Sequence, residues 1–103
     1  MLTQGAVSLA GKVAVVTGGG GGIGRGIAEC FAAFGASVVV AERDPGRAEE
    51  TARGIAARGG RALACVVDVQ EPADVARLAE TTLSALGRID VLVNNVGDFL
   101  GIA

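Results

Sequence analysis

Five consecutive glycines, residues 18–22, separate the apolar run KVAVVT from a segment in which apolar residues recur at helical spacing. Two glycine patterns fit here: Gly19, Gly21 and Gly24 match G-x-G-x-x-G, and residues 17–24 match T-G-x-x-x-G-I-G. A turn without side chains lets a ligand approach the backbone, and the helix start beyond it offers N–H groups and a positive dipole end. The alternative is a flexible loop, and no Gly-Lys-Ser/Thr follows that would indicate a P-loop. We therefore predict a turn that binds a pyrophosphate.

Two acidic residues follow later apolar runs at positions where they could read the rest of a nucleotide. Glu42 lies about 20 residues beyond the glycines, where an acid can accept hydrogen bonds from ribose hydroxyls. Asp68 ends the next apolar run and could accept from an adenine amino group. The alternatives are a solvated turn charge for Glu42 and a capping or turn aspartate for Asp68. The paired pattern favours a nucleotide site.

Strand and helix patterns alternate along the chain and would place these residues at one edge of a sheet. The predicted strands are residues 12–17, 37–41, 61–67 and 89–93, and the predicted helices begin near Gly22, Pro45 and Pro72 and end near Gly35, Gly59 and Gly87. Such alternation with short loops predicts a doubly wound α/β fold, a Rossmann-like parallel sheet of strand order 3-2-1-4 with three helices. Residues 1–8 are predicted to be a leader, and residues 9–103 a single domain.

Composition excludes several classes of function. The formal net charge is −2 with neither sign clustered, so a nucleic-acid partner is not expected. No apolar run is long enough to cross a membrane and the N-terminus does not resemble a signal peptide. Cys30 and Cys65 lack metal-ligand spacing, and the chain contains no histidine, so no metal site is expected. We interpret both cysteines as buried thiols of a cytoplasmic protein.

The segments LAGKVAVVTGGGGGIGRG, VVVAER, DV and NNVG occur in this order, and together they resemble the short-chain dehydrogenase/reductase family. The resemblance runs from about residue 9 to residue 97 and implies an NAD(P)-binding portion of an oxidoreductase. It assigns the pyrophosphate to the loop, the ribose to Glu42, the adenine to Asp68 and Val69, and the cofactor cleft to the NNVG segment. The predicted cofactor-binding residues are Thr17, Gly18, Gly20, Gly21, Gly22, Ile23, Gly24, Glu42, Arg43, Asp68, Val69, Asn94, Asn95, Val96 and Gly97. Val96 stands where the family usually has alanine.

The family's catalytic groups have no counterpart in this sequence. The family uses a Tyr-x-x-x-Lys pair with a serine, whereas this chain contains no tyrosine and has Lys12 as its only lysine. We therefore assign no catalytic residue. The chain is interpreted as the N-terminal half of such an enzyme, inactive alone, whose fourth strand would be an exposed apolar edge that an oligomer or partner could cover.

The residues near Glu42 give opposing indications of which dinucleotide binds. The Glu42 carboxylate favours NAD, because a 2′-phosphate would meet a like charge, and Gly21 offers no positive charge. Arg43 favours NADP, because a guanidinium can pair with a 2′-phosphate, unless it points to solvent or pairs with a neighbouring acid. We predict NAD over NADP.

Two alternative functions stay open on the sequence. One is a stand-alone dinucleotide-binding or interaction module that pairs with a longer homologue. The other is a methyltransferase-like fragment, because that fold also has a glycine turn and acids after its second and third strands.

Overall fold

A computed structural model describes residues 8–95, which form one parallel four-stranded sheet and three helices. The chain runs through β1 (Val13–Thr17), α1 (Gly22–Ala33), β2 (Ser37–Glu42), α2 (Pro45–Ala57), β3 (Arg61–Val66), α3 (Pro72–Leu86) and β4 (Val91–Asn94). The strand order is β3-β2-β1-β4, which confirms the predicted doubly wound topology. Of the predicted leader, only Ser8 lies within the described residues, where its hydroxyl accepts from the Ala10 N–H.

The two central strands, β1 and β2, are buried on both faces of the sheet. Successive residues of a strand point to opposite sides, and helices cover both sides of these strands. Ala14 and Val16 of β1 pack with Ala28 of α1 and Ile55 of α2 on one face. The neighbouring Val15 packs on the other face in a cluster that includes Leu78 of α3. One face therefore carries two helices and the other carries one.

The fourth strand begins two residues later than predicted. The carboxylate of Asp90 accepts a hydrogen bond from the Val13 N–H at 2.8 Å, and the Asp90 N–H donates to the Val13 carbonyl at 2.9 Å. Residue 90 therefore contacts the start of β1 partly through its side chain, and the regular ladder starts at the pair Ala14–Val91. β3 also ends one residue early, at Val66, and Val67 donates its N–H to the Glu42 carbonyl.

The two cysteines have different surroundings, so the prediction that both are buried is wrong for Cys30. Cys65 is buried in the sheet, and desolvation raises the pKa of its thiol. Cys30 is exposed on α1. It follows the fully buried Ala28 by two positions, which places it about 200° around the helix, on the outer face.

The face covered by α3 alone has a groove of about 280 Å³ beside β4. Apolar side chains of α3, β4 and the preceding turn line this groove, among them Val75, Ile89 and Leu92. Leu92 is 64% exposed, so the expected apolar edge is present. No helix within residues 8–95 has the length and apolar character needed to cross a membrane.

Candidate functional site

Close packing or a positive φ angle explains most of the glycines in the turn between β1 and α1 and at the start of α1. A Cβ atom on Gly24 would lie against the Gly18 carbonyl oxygen and 2.6 Å from Nδ2 of Asn95. A Cβ atom on Gly20 would lie 2.5 Å from Cγ of Glu42 and 2.8 Å from Cβ of Arg47. Gly18 and Gly22 have φ angles of 65° and 55°, which L side chains rarely adopt. The loop is therefore a tightly packed turn and not a flexible tract.

The N-termini of α1 and α2 differ in whether a side chain accepts hydrogen bonds from their first backbone N–H groups. At α2, the Asp44 carboxylate accepts from the N–H groups of Gly46 and Arg47. At α1, the N-cap residue is Gly21, which has no side chain to accept. The first N–H groups of a helix have no acceptor within the helix, so the start of α1 is suited to receive an anion. Ile23, in this first turn, is 71% exposed.

Glu42, at the end of β2, connects the glycine loop to the turn before α2. Its Oε1 atom accepts from the Gly20 N–H at 3.2 Å, and its Oε2 atom accepts from the Asp44 N–H at 3.0 Å. Both are backbone donors within reach of a single carboxylate, so the side chain is held at the rim of the loop. This is the position the sequence predicted for an acid that reads a ribose.

Thr17 connects the end of β1 to the end of β4. Its hydroxyl accepts from the Asn95 N–H at 2.9 Å and lies 3.2 Å from both the Val93 carbonyl oxygen and Oδ1 of Asn94, to either of which it can donate. The strand ends of β1 and β4 are neighbours at the point where the strand order reverses, which is where ligands bind in such sheets. The structure therefore brings Thr17, Asn94 and Asn95 next to the glycine loop, and their contact with a cofactor stays a prediction.

The residues predicted to contact adenine lie on the α3 side of the sheet. Asp68 accepts from the Gln70 N–H at 2.9 Å, and its own N–H donates to the carboxylate of Asp74 at 2.8 Å. This is the turn role that was the alternative for Asp68, and an adenine contact stays a prediction. Val69 lines the groove beside β4 together with Thr17 and Asn94.

Arg43 and Arg47 are the cations nearest in sequence to Glu42. Arg43 is exposed, and within residues 8–95 its side chain makes no hydrogen bond or salt bridge, so it does not pair with Glu42 or Asp44. Arg47 lies beside the loop in the first turn of α2, and it is not among the site residues predicted from the sequence. A signal was present: Asp44 and Pro45 mark a helix start that places residue 47 in the first turn.

Two predicted site residues, Val96 and Gly97, lie outside the described residues. Within residues 8–95, no group of three or more His, Cys, Asp or Glu side chains could hold a metal ion.

The sequence of this chain is similar to those of several known proteins. Residues 12–100 match the sequence profile of the short chain dehydrogenase family. The 7alpha-hydroxysteroid dehydrogenase of Escherichia coli K12 is 44% identical over 89 residues, which cover 86% of this chain and 35% of that protein.

Two solved structures extend the similarity to the fold. A 7 alpha-hydroxysteroid dehydrogenase complexed with NADH and 7-oxo glycochenodeoxycholic acid superposes with a TM-score of 0.89 and 41% identity, over 95% of this chain and 38% of that one. The L-sorbose reductase of Gluconobacter frateurii, complexed with NADPH and L-sorbose, has a TM-score of 0.85 and 43% identity, over 88% of this chain and 35% of that one. The chain thus spans a little over a third of the length of these relatives.

Proposed function

This chain belongs to the short-chain dehydrogenase family, and from that membership we propose that it binds the adenosine diphosphate part of a nicotinamide dinucleotide. It would do so as the N-terminal portion of an oxidoreductase. When bound, such a cofactor accepts a hydride from an alcohol substrate or donates one to a carbonyl substrate. The residues described here would bind and orient it. Family membership favours neither the methyltransferase nor the stand-alone module.

The observation that carries this proposal is the packing of the glycine loop against Glu42. Gly20 is so close to Glu42 that any side chain at residue 20 would displace the carboxylate. The loop therefore keeps an exposed helix N-terminus and a carboxylate acceptor side by side. A dinucleotide needs both, because its pyrophosphate is an anion and its ribose hydroxyls are donors.

The charge of Glu42 supports a proposal about which dinucleotide is preferred. Two ribose hydroxyls can donate to its carboxylate, whereas a 2′-phosphate would meet a like charge. We propose on this ground that NAD is preferred to NADP. Relatives complexed with NADH and with NADPH both exist, so the preference depends on this chain's own residues.

The exposed groove beside β4 supports a proposal about assembly. A parallel sheet normally has both faces covered, whereas Leu92 and the groove beside it are open on the α3 side. We propose that further polypeptide, from a longer form of the protein or from a partner, covers this surface. The two free cysteines, Cys30 and Cys65, support a reducing compartment such as the cytoplasm.

A charge change at Gly21 tests the phosphate site without a steric clash within the protein itself. Gly21 has an extended backbone with φ −156°, and a Cβ atom there would make only ordinary contacts with Arg47, at 3.7 Å or more. Gly21→Glu adds a negative charge at the helix start. We expect it to raise the Kd for NADH by about tenfold, because a unit charge at a few ångströms costs about 1 kcal/mol or more. The measurement is titration calorimetry on the 103-residue chain.

Gly21→Gln is the matched control, because glutamine has the same size and no charge. Any change that Gly21→Gln makes to the Kd for NADH measures the steric effect of a side chain at residue 21, so the effect of the charge is the ratio of the Kd values of the two variants. An acid near a helix N-terminus stabilises the helix, so lost binding in Gly21→Glu cannot be ascribed to unfolding. Equal affinity of the two variants would show that the loop does not receive the pyrophosphate.

A further inference from the structure

Arg47 lies over the glycine loop. A Cβ atom on Gly20 would lie 2.8 Å from Cβ of Arg47, and one on Gly21 would lie 3.8 Å from its Cδ and 3.7 Å from its Nη1. The aliphatic part of Arg47 therefore passes Gly20, and the guanidinium reaches the space beside Gly21. Gly21 itself offers no positive charge at this position. In the folded protein, α2 supplies one.

The start of α2 holds Arg47 in this position and leaves its charged end accessible. The Arg47 N–H donates to Oδ1 of Asp44 at 3.2 Å, and its Nε lies 3.9 Å from Oδ2 of the same carboxylate. The side chain is 65% exposed. A ligand in the loop can therefore reach the guanidinium without expelling it from a buried pair.

We propose that Arg47 determines how well the site accepts a phosphate on the adenosine ribose. With Arg47 present, the chain binds NADP in addition to the preferred NAD. This inference depends on the proposed dinucleotide site. Glu42 and Cβ of Arg47 both lie beside Gly20, and the Arg47 guanidinium lies beside the neighbouring Gly21, so a ribose that donates to Glu42 would have its 2′ position on the side of the loop where the guanidinium lies. A guanidinium can donate two parallel hydrogen bonds to a phosphate, which offsets the repulsion by the Glu42 carboxylate. Arg43 is the competing cation, but among the described residues only Arg47 atoms lie within 4 Å of a Cβ placed on Gly21.

The test compares four ligands on the 103-residue chain by titration calorimetry: NAD⁺, NADP⁺, 5′-AMP and adenosine 2′,5′-bisphosphate. The wild type should bind NADP⁺ with a Kd within about tenfold of that for NAD⁺. Arg47→Gln should raise the Kd for NADP⁺ and the bisphosphate by about tenfold, the usual effect of losing a hydrogen bond between charged groups. The Kd values for NAD⁺ and 5′-AMP should change less than about twofold.

Two further variants separate charge from geometry and from position. Arg47→Lys keeps the charge without the planar fork, so it should weaken NADP⁺ binding less than Arg47→Gln does. Arg53→Gln is the matched control, because Arg53 is exposed on the same helix and lies 3.6 Å from Glu49. It should leave all four affinities unchanged.

The outcomes distinguish this inference from the proposed function. If Arg47→Gln weakens NAD⁺ and NADP⁺ equally, or if only Arg43→Gln weakens NADP⁺, Arg47 is not the determinant and the dinucleotide site stands. If the folded wild type binds neither dinucleotide, the proposed site and this inference are both wrong.

Discussion

At the scale of single residues, the candidate site depends on one carboxylate, Glu42, and on a glycine, Gly20, that leaves space for it. Glu42 accepts from two backbone N–H groups, and Gly20 makes room for it by having no Cβ. The Glu42 carboxylate is thus already oriented in the free protein, so a ribose meets an acceptor whose rotamer is fixed. Pre-organisation of this kind lowers the entropy lost on binding.

Glu42→Gln is the residue-scale prediction. Glutamine keeps an oxygen that can accept a hydrogen bond from the Gly20 N–H. It removes the negative charge and has an NH₂ group in place of the other carboxylate oxygen. We expect weaker binding of NAD⁺, by about tenfold, and no loss for NADP⁺, since the like charge facing its 2′-phosphate disappears. Calorimetric Kd values for both ligands check this, with Glu49→Gln on the outer face of α2 as the control. An unchanged ratio of the two Kd values would remove Glu42 from cofactor choice.

At the scale of elements, the sequence predicted the order of strands and helices well and their edges less well. The β-branched runs and the helical spacing depend on local chemistry, so they indicated each element and the topology. The predicted start of β4 was wrong because the side chain of Asp90 accepts the hydrogen bond from the Val13 N–H. These two residues are 77 positions apart in the sequence. Arg47 was missed for a related reason: it lies beside the loop only once α2 has packed against β2 and β3, next to α1.

Asp90 gives the element-scale prediction, because it joins the start of β4 to β1. The hydrogen bond from Arg88, and then the one from the Val13 N–H, lower the pKa of its carboxyl. A carboxyl whose pKa is lower in the folded state adds stability above its unfolded pKa and loses it as the pH falls through the folded value. Asp90→Asn should therefore be less stable than the wild type at pH 7, and the difference should shrink toward pH 3.

Urea unfolding across this pH range measures the effect on the free energy of unfolding. The exposed Glu80, on α3, provides a control in Glu80→Gln. A difference between Asp90→Asn and the wild type that stays constant from pH 7 to pH 3 would mean that ionisation of Asp90 does not stabilise the junction.

At the scale of the whole molecule, we expect cofactor binding and hydride transfer to be separable in this chain. The loop, Glu42 and the ends of β1 and β4 form one contiguous edge within residues 8–95. The chain spans 35% of the length of its relative from E. coli K12, and its 103 residues contain no tyrosine. The resemblance implies a Tyr-x-x-x-Lys pair for proton transfer, and Lys12 is the only lysine among the 103 residues.

The whole-molecule prediction is that the 103-residue chain binds a nicotinamide dinucleotide but does not transfer hydride. Positioned acid–base groups contribute about a hundredfold to ten-thousandfold to a rate, and the substrate must also be oriented next to the cofactor. We expect no NAD(P)H-dependent change in absorbance at the nicotinamide band with a panel of alcohols and ketones, under conditions where calorimetry detects bound cofactor. A full-length short-chain dehydrogenase with its own substrate serves as the positive control. Cofactor-dependent turnover by mass-verified protein would show that other residues of this chain perform the chemistry. Binding without turnover would support the separation of the two functions.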